Sequence, residues 1–208
     1  SMKQRYKDGE VLSPGTVIIS AAGHCDDITK VVEPVLQPRS LGGGDIYYIN
    51  LSQDNFKLGG SSFAQILNKV GKEVPTIKDN KKFADAFYNI QGLIKQDLIL
   101  AGHDVASGGL ITTFLEMCFA DNNLGAELDL SALNEKDSVK LLFNENCGIV
   151  FQAKDDTAEK VLSDNKIEFF KIGNVTEGNT LKIKNGSENL NFNISELRDV
   201  WYKTSFLL

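Results

Sequence analysis

The sequence has little proline, four residues in 208, and no repeat or single-residue tract. Those absences argue against long disordered segments. No apolar run approaches the roughly 18–20 residues of a membrane span, and Ser1-Met2-Lys3-Gln4-Arg5-Tyr6 has no signal-peptide core. Cysteine is scarce: Cys25, Cys118 and Cys147 are far apart and odd in number. That spacing suits neither a disulfide framework nor a CxxC zinc site. The three read as reduced thiols packed as small apolar groups, and they point to the cytoplasm. Basic residues are outnumbered, 22 against 28 acidic, for a net charge of −6 with no clustered basic face. No nucleic-acid partner is expected. What is present, 42% hydrophobic and 24% charged residues, describes a soluble globular chain of one full domain and part of another.

Ser1-Met2 reads as an expression scar, and a polar stretch to Glu10 leads to Ser13-Pro14-Gly15. A strand is expected over Thr16–Ala21. A short helix capped by Asp26 or Asp27 should follow through Val31 and Val32, stopping near Pro34. Gln37–Gly44 punctuates the chain as a linker. Beyond it Asp45–Leu51 reads as a strand. Phe63, Ile66, Leu67 and Val70 fall at i, i+3, i+4, i+7 of a helix opening at Ser61 or Ser62. A second helix spans about Asp79–Gln96, striped by Phe83, Phe87, Ile90 and Ile94. Leu98–Gly102 is a short buried strand, and Leu110–Ala120 a helix apolar on several sides.

Further strands are expected at Gly125–Leu130, Gly148–Ala153, Ile167–Ile172, Leu181–Lys184 and Leu190–Ile194. Helices at Asp137–Phe143, at Asp155–Leu162 and from Ser195 separate or follow them. Gly178-Asn179 and Asn185-Gly186 look like hairpin turns. The fold class is α+β, a mixed or antiparallel sheet with helices packed on one face.

Three loops could carry chemistry. Gly59-Gly60-Ser61-Ser62 sits at a helix mouth, where free N–H groups, serine hydroxyls and the helix dipole suit a phosphate. From the motif alone it reads more simply as a tight turn with a serine cap. His103-Asp104 to Ser107-Gly108-Gly109 lies where a buried strand ends and a buried helix begins. Asp104 could hold Mg²⁺ and His103 could donate to a phosphate, or both could be structural. Asn144-Glu145-Asn146 precedes a strand, and its Glu145 reads as an exposed turn residue or as one wall of a cleft. His24-Cys25-Asp26-Asp27 tempts a metal reading but fits a capped turn.

The order and spacing of these motifs are more specific than any one of them. Leu58–Gln65, then His103-Asp104-x-x-x-Gly108-Gly109-Leu110 continuing to Leu115-Glu116-Met117, then Leu142-Phe143-Asn144-Glu145 with Gly148, closely resembles the phosphoribosylformylglycinamidine synthase family. The likeness is to the C-terminal aminoimidazole-ribotide-synthetase-like domain of its large single-chain form. It covers about Pro14 to Trp201. By that resemblance residues 1–37 are the tail of a preceding ATP-binding domain and 38–208 the synthetase C-terminal-like domain. Arg198-Asp199-Val200-Trp201 resembles the stretch before a glutaminase domain.

The resemblance implies a glutamine-dependent ligase of purine biosynthesis. Such an enzyme uses ATP and Mg²⁺ to turn formylglycinamide ribonucleotide into its amidine with ammonia from glutamine. Expected partners are sister domains, a glutaminase among them, with formylglycinamide ribonucleotide and ATP or ADP as ligands. Gly59, Gly60, Ser61, Ser62, His103, Ser107, Gly108 and Gly109 would form phosphate-binding surface and Asp104 would touch the metal. No residue of this chain is expected to be catalytic, and the chain alone should be inactive. The family run is His-Asp-x-Ser-Asp-Gly-Gly; here Ala106 and Ser107 replace its Ser and second Asp, which removes one carboxylate. The alternatives are another synthetase of the same superfamily, of aminoimidazole ribotide, selenophosphate or thiamine-phosphate type, or a scaffolding domain with a vestigial pocket.

Overall fold

A computed structural model of the chain describes residues 3–12, 19–25, 27–120 and 123–206. Its elements run β1 (Lys3–Tyr6), β2 (Gly9–Leu12), β3 (Asp45–Asn50), α1 (Ser62–Ile66), α2 (Asn80–Lys95), β4 (Ile99–Asp104), α3 (Gly109–Phe119) and β5 (Leu124–Asp129). They continue with α4 (Ser138–Phe143), β6 (Gly148–Ala153), α5 (Thr157–Asp164), β7 (Phe170–Glu177), β8 (Thr180–Asn185), β9 (Glu188–Asn193) and α6 (Ile194–Phe206). β1 and β2 form a separate hairpin. The other strands make one sheet in the order β4-β6-β3-β7-β5-β8-β9. Every neighbouring pair in it is antiparallel except β5 and β8, which are parallel. The sheet is therefore mixed, in an α+β fold.

Side-chain alternation decides what each face meets. In β3, Ile46 and Tyr48 join the larger core with Leu110, Phe114 and Met117 of α3, Leu141 and Leu142 of α4, and Ile194 of α6. Tyr47 and Ile49 point the other way, into a second core with Ile90 and Leu93 of α2 and Leu162 of α5. Helices thus form the expected layer on one face, and α2 with α5 add a smaller layer over the opposite face of the β4-β6-β3 end. At the other end that opposite face is polar, laddered by Lys182–Glu127 at 2.6 Å and Lys184–Asp129 at 2.9 Å.

Several expectations meet a different outcome. The strand expected over Thr16–Ala21 falls partly outside the described residues; Ile19–Ala21 have no regular structure, and Ile19 is exposed. Asp26 is also outside them, and Asp27 caps only a 3₁₀ turn, Ile28–Lys30. The helix at Ser61 stops at Ile66, because Asn68 adopts φ +53° and turns the chain back. Ile66, Leu67 and Val70, the expected apolar face, are consequently exposed. The strand expected at Ile167–Ile172 lies later, at Phe170–Glu177. Gly173 continues it, because a side chain there would strike the carbonyl of Glu127 on β5 at 2.0 Å. Gly178-Asn179 does not close a hairpin, since β5 lies between β7 and β8. Asn185-Gly186 does, between β8 and β9.

The segment before β3 also packs on this sheet. Gly102 N–H on the β4 edge donates to Glu33 O at 3.1 Å and Leu36 N–H to Met117 O at 3.1 Å, with Leu36 buried in the larger core. Gln37 N–H donates to the buried Gln152 Oε1 at 2.8 Å.

Candidate functional site

The α4–β6 turn is the centre of the site. Its Glu145 Oε1 accepts two backbone N–H groups at 2.8 Å, from Ser62 at the start of α1 and from Gly108 at the start of α3. One carboxylate oxygen therefore ties all three motif loops together. Gly108 is the N-cap of α3 and makes no side-chain cap bond, so Glu145 fixes the entry to that helix through the Gly108 N–H. The two glycines there are set by contact as well as conformation. At Gly109, φ +78°, a Cβ would come within 2.6 Å of Asn144 O, and at Gly108, φ +90°, within 2.3 Å of Thr112 Oγ1.

The glycine-serine loop is knitted into the chain in the same way. Gly59 N–H donates to Glu73 O at 2.8 Å, Gly60 N–H to Val70 O at 2.6 Å and Ser61 N–H to Leu58 O at 3.2 Å. Ser61 is the N-cap of α1, its Oγ accepting from Ala64 N at 3.2 Å. All four N–H groups from Gly59 to Ser62 thus have acceptors within the protein. Gly59 itself is required by a crossing of chains, since a Cβ would meet Glu73 O at 2.2 Å.

A buried amide network supports this arrangement from below. Asn146 is fully buried; its Nδ2 donates to Ser52 Oγ at 3.1 Å and Asn55 O at 3.0 Å, and its Oδ1 accepts from Lys57 N at 3.2 Å. Asp54 pairs with Lys57 at 2.7 Å and accepts from Thr76 N at 3.2 Å. Burial works against the Asp54 carboxylate, but the lysines around it hold its pKa below the usual range. A cavity of about 280 Å³ opens here, lined by Ser52, Gly60, Thr76, Glu145 and Cys147 among others. Burial, and then the Asp104 charge, push the Cys147 thiol up. Beside it the Tyr48 hydroxyl is buried without a hydrogen-bond partner, and burial raises its pKa.

Asp104 ends β4 with a side chain 76% exposed, so its carboxylate is open to a ligand. His103 is held at both nitrogens, Nε2 3.0 Å from Glu116 Oε2 and Nδ1 3.4 Å from Asp104 Oδ1. Among the described residues no group of three or more His, Cys, Asp or Glu could hold a metal. The oxygen donor of Asp104 fits Mg²⁺ only as one ligand, with phosphates and waters completing the shell. Ser107 is exposed as well. The joining of the three loops through Glu145 is not legible in its own turn motif, whose flanking Asn144 and Asn146 are both buried.

The AIR synthase related protein C-terminal domain family model matches residues 46–184. The chain belongs to this family. Members similar to it along most of the chain include an Arabidopsis thaliana protein named probable phosphoribosylformylglycinamidine synthase, chloroplastic/mitochondrial. It is 38% identical over 98% of this chain. The Homo sapiens phosphoribosylformylglycinamidine synthase is 34% identical over 100% of it. The chain spans only 15% and 16% of the length of those two relatives. Among solved structures, Thermotoga maritima PurL complexed with FGAR superposes with a TM-score of 0.60 at 14% identity, over 82% of this chain and 30% of that one. PurL complexed with ADP gives 0.59 at 14% identity, over 82% and 27%. These shared architectures establish the α+β fold of the family. Among the described residues no helix is long and apolar enough to cross a membrane.

Proposed function

We propose that the chain is a segment of a glutamine-dependent ligase that makes formylglycinamidine ribonucleotide from formylglycinamide ribonucleotide, ATP and glutamine. The names of its long relatives support this reading, and so does the convergence of three motif loops on Glu145, with Asp104 exposed at the end of β4. In that reading residues 1–37 are the tail of a preceding ATP-binding domain, and its last residues, Glu33 to Gln37, pack on this sheet. Sister domains, a glutaminase included, supply the chemistry. The segment offers cleft wall, and Asp104 is one ligand of a Mg²⁺-bound nucleotide; Gly59 to Ser62, His103 and Ser107 to Gly109 shape that wall. The chain alone is inactive, and three unpaired cysteines suit a reducing compartment such as the cytoplasm.

Titration calorimetry with ADP and Mg²⁺ tests the site. Asp104→Ala should weaken binding about tenfold or more, the effect of one charge-assisted contact. Equal binding by both proteins would remove Asp104 from the site. A second reading is favoured by one observation: the loop N–H groups that a phosphate would use are already taken by Glu145 and the backbone. In that reading the pocket is vestigial and the segment a scaffold, and neither protein gives Mg²⁺-dependent heat.

A further inference from the structure

Between Lys57 and Lys78 the chain carries four lysines and one glutamate, against a net charge of −6 overall. The turn-back after α1 brings part of this charge into one place. Asn68 and Gly71 both have positive φ, +53° and +77°. Lys69 N–H donates to Ala64 O at 2.9 Å, and Gly71 packs so closely on Gly59 that a Cβ there would lie 2.7 Å from its Cα. With the Gly59–Glu73 and Gly60–Val70 hydrogen bonds, these contacts fix the backbone that presents Lys69 and Lys72.

The result is a crevice of about 480 Å³ with an apolar floor that includes Leu58, Phe63 and Leu67. Lys57, Lys69, Lys72 and Lys140 line it. Phe63 is fixed by stacking on Phe143 at 4.6 Å. Lys57 and Lys140 are anchored by Asp54 at 2.7 Å and Glu135 at 2.9 Å. Lys69 and Lys72 have no ion-pair partner among the described residues, and Glu73 is the one carboxylate of the lining. Leu67, 51% exposed, leaves part of the floor wet.

We propose that this crevice is a binding site for a small organic phosphate with a ring-sized apolar body, distinct from the Glu145 cleft. The two cavity linings share only Gly59. Lys69 and Lys72, the lysines of the lining without an ion-pair partner among the described residues, suit the charge of a phosphate, and lysine is a point-charge phosphate ligand. The volume is within the roughly 300–1,000 Å³ of small-molecule sites, and the apolar floor takes the body while the rim takes the charge. The inference does not depend on the ligase reading.

The probe is ADP in the presence of EDTA, followed by calorimetry. Saturable one-to-one binding is expected, weakened about tenfold or more in Lys69→Ala/Lys72→Ala and in Leu67→Glu, and unchanged in Lys81→Ala on the exposed side of α2. These substitutions are on exposed side chains, and circular dichroism checks that the variants fold. Pyrophosphate should bind at least about tenfold more weakly than ADP, because it cannot use the floor. No saturable ADP heat overturns the proposal. So does equal binding of pyrophosphate, which would reduce the crevice to a charged patch. Loss in Asp104→Ala alone also overturns it, by assigning the nucleotide to the other cleft.

Discussion

At the residue scale, Glu145 decides whether three loops stay together. Glu145→Ala leaves the half-buried N–H groups of Ser62 and Gly108 without an acceptor, at a cost of about 2 kcal/mol or more. Glu145→Gln keeps a carbonyl oxygen in the same place and should lose less than about 1.5 kcal/mol. Urea midpoints rank the two, and hydrogen exchange at Ser62 and Gly108 should quicken in the alanine variant; equal midpoints and unchanged exchange would show that the loops stand without Glu145. The glycines allow a similar comparison. Gly109 and Gly178 both have positive φ, but only Gly109 has backbone against it, with Asn144 O at 2.6 Å from a built Cβ. Gly178→Ala should therefore cost about 1 kcal/mol of backbone strain, and Gly109→Ala about 3 kcal/mol or more once overpacking is added. The sequence marks Gly108-Gly109 as a motif. It gives no sign that the pair is needed for the close pass of the 143–144 backbone.

At the scale of elements, local chemistry was readable where it closes within a few residues. Asp79 caps α2 by accepting from Lys81 N and Lys82 N, both at 3.0 Å. Asp79→Ala should cost about 1 kcal/mol, seen as a fall in melting temperature of about 2–4 °C. β6 occupies Gly148–Ala153 as expected, and β3 ends one residue early. Elements set by distant partners were harder to read. The i, i+3, i+4, i+7 pattern from Phe63 to Val70 promises a buried helical face. However, the chain has to fold back so that Gly71 can meet Gly59, and that turn overrides the pattern. On α2 the buried face is Ala86, Ile90 and Leu93, and Phe87 of the expected stripe stays exposed. Gly178-Asn179 carries a hairpin signal, but no local signal says that β5 will enter between the strands it joins. The candidate site divides along the same line: its loops are sequence motifs, and their joining through Glu145 is tertiary. The lysine-lined crevice was invisible to a count of charges, because the turn after α1 is what gathers it.

At the scale of the whole molecule, ionisation should limit stability from both sides of neutrality. Hydrogen bonds from Ser131 and Lys184 lower the Asp129 carboxyl to about 2, and Asp54 and Glu135 are also held below the usual carboxylate range. A depressed folded pKa contributes stability that is fully present above the unfolded value. It is lost as pH falls through the folded one, here between about 4 and about 2 for Asp129. On the alkaline side Cys118 acts. Burial in the main core pushes its thiol from 9.0 to about 12. The unfolded chain therefore releases that proton first, and stability falls as pH rises from about 9 toward about 12. Tyr48, raised by the same burial, adds to the fall above about 10. Stability should therefore form a plateau between about pH 5 and pH 8. Urea midpoints across pH 2–11 measure it in the parent, Cys118→Ala and Asp129→Asn. Cys118→Ala should lower the plateau by a lost packing contact yet flatten the alkaline slope, while Asp129→Asn should flatten only the acid slope. Alkaline slopes that stay parallel in parent and Cys118→Ala would place the high-pH instability in other groups, the lysines paired with carboxylates first.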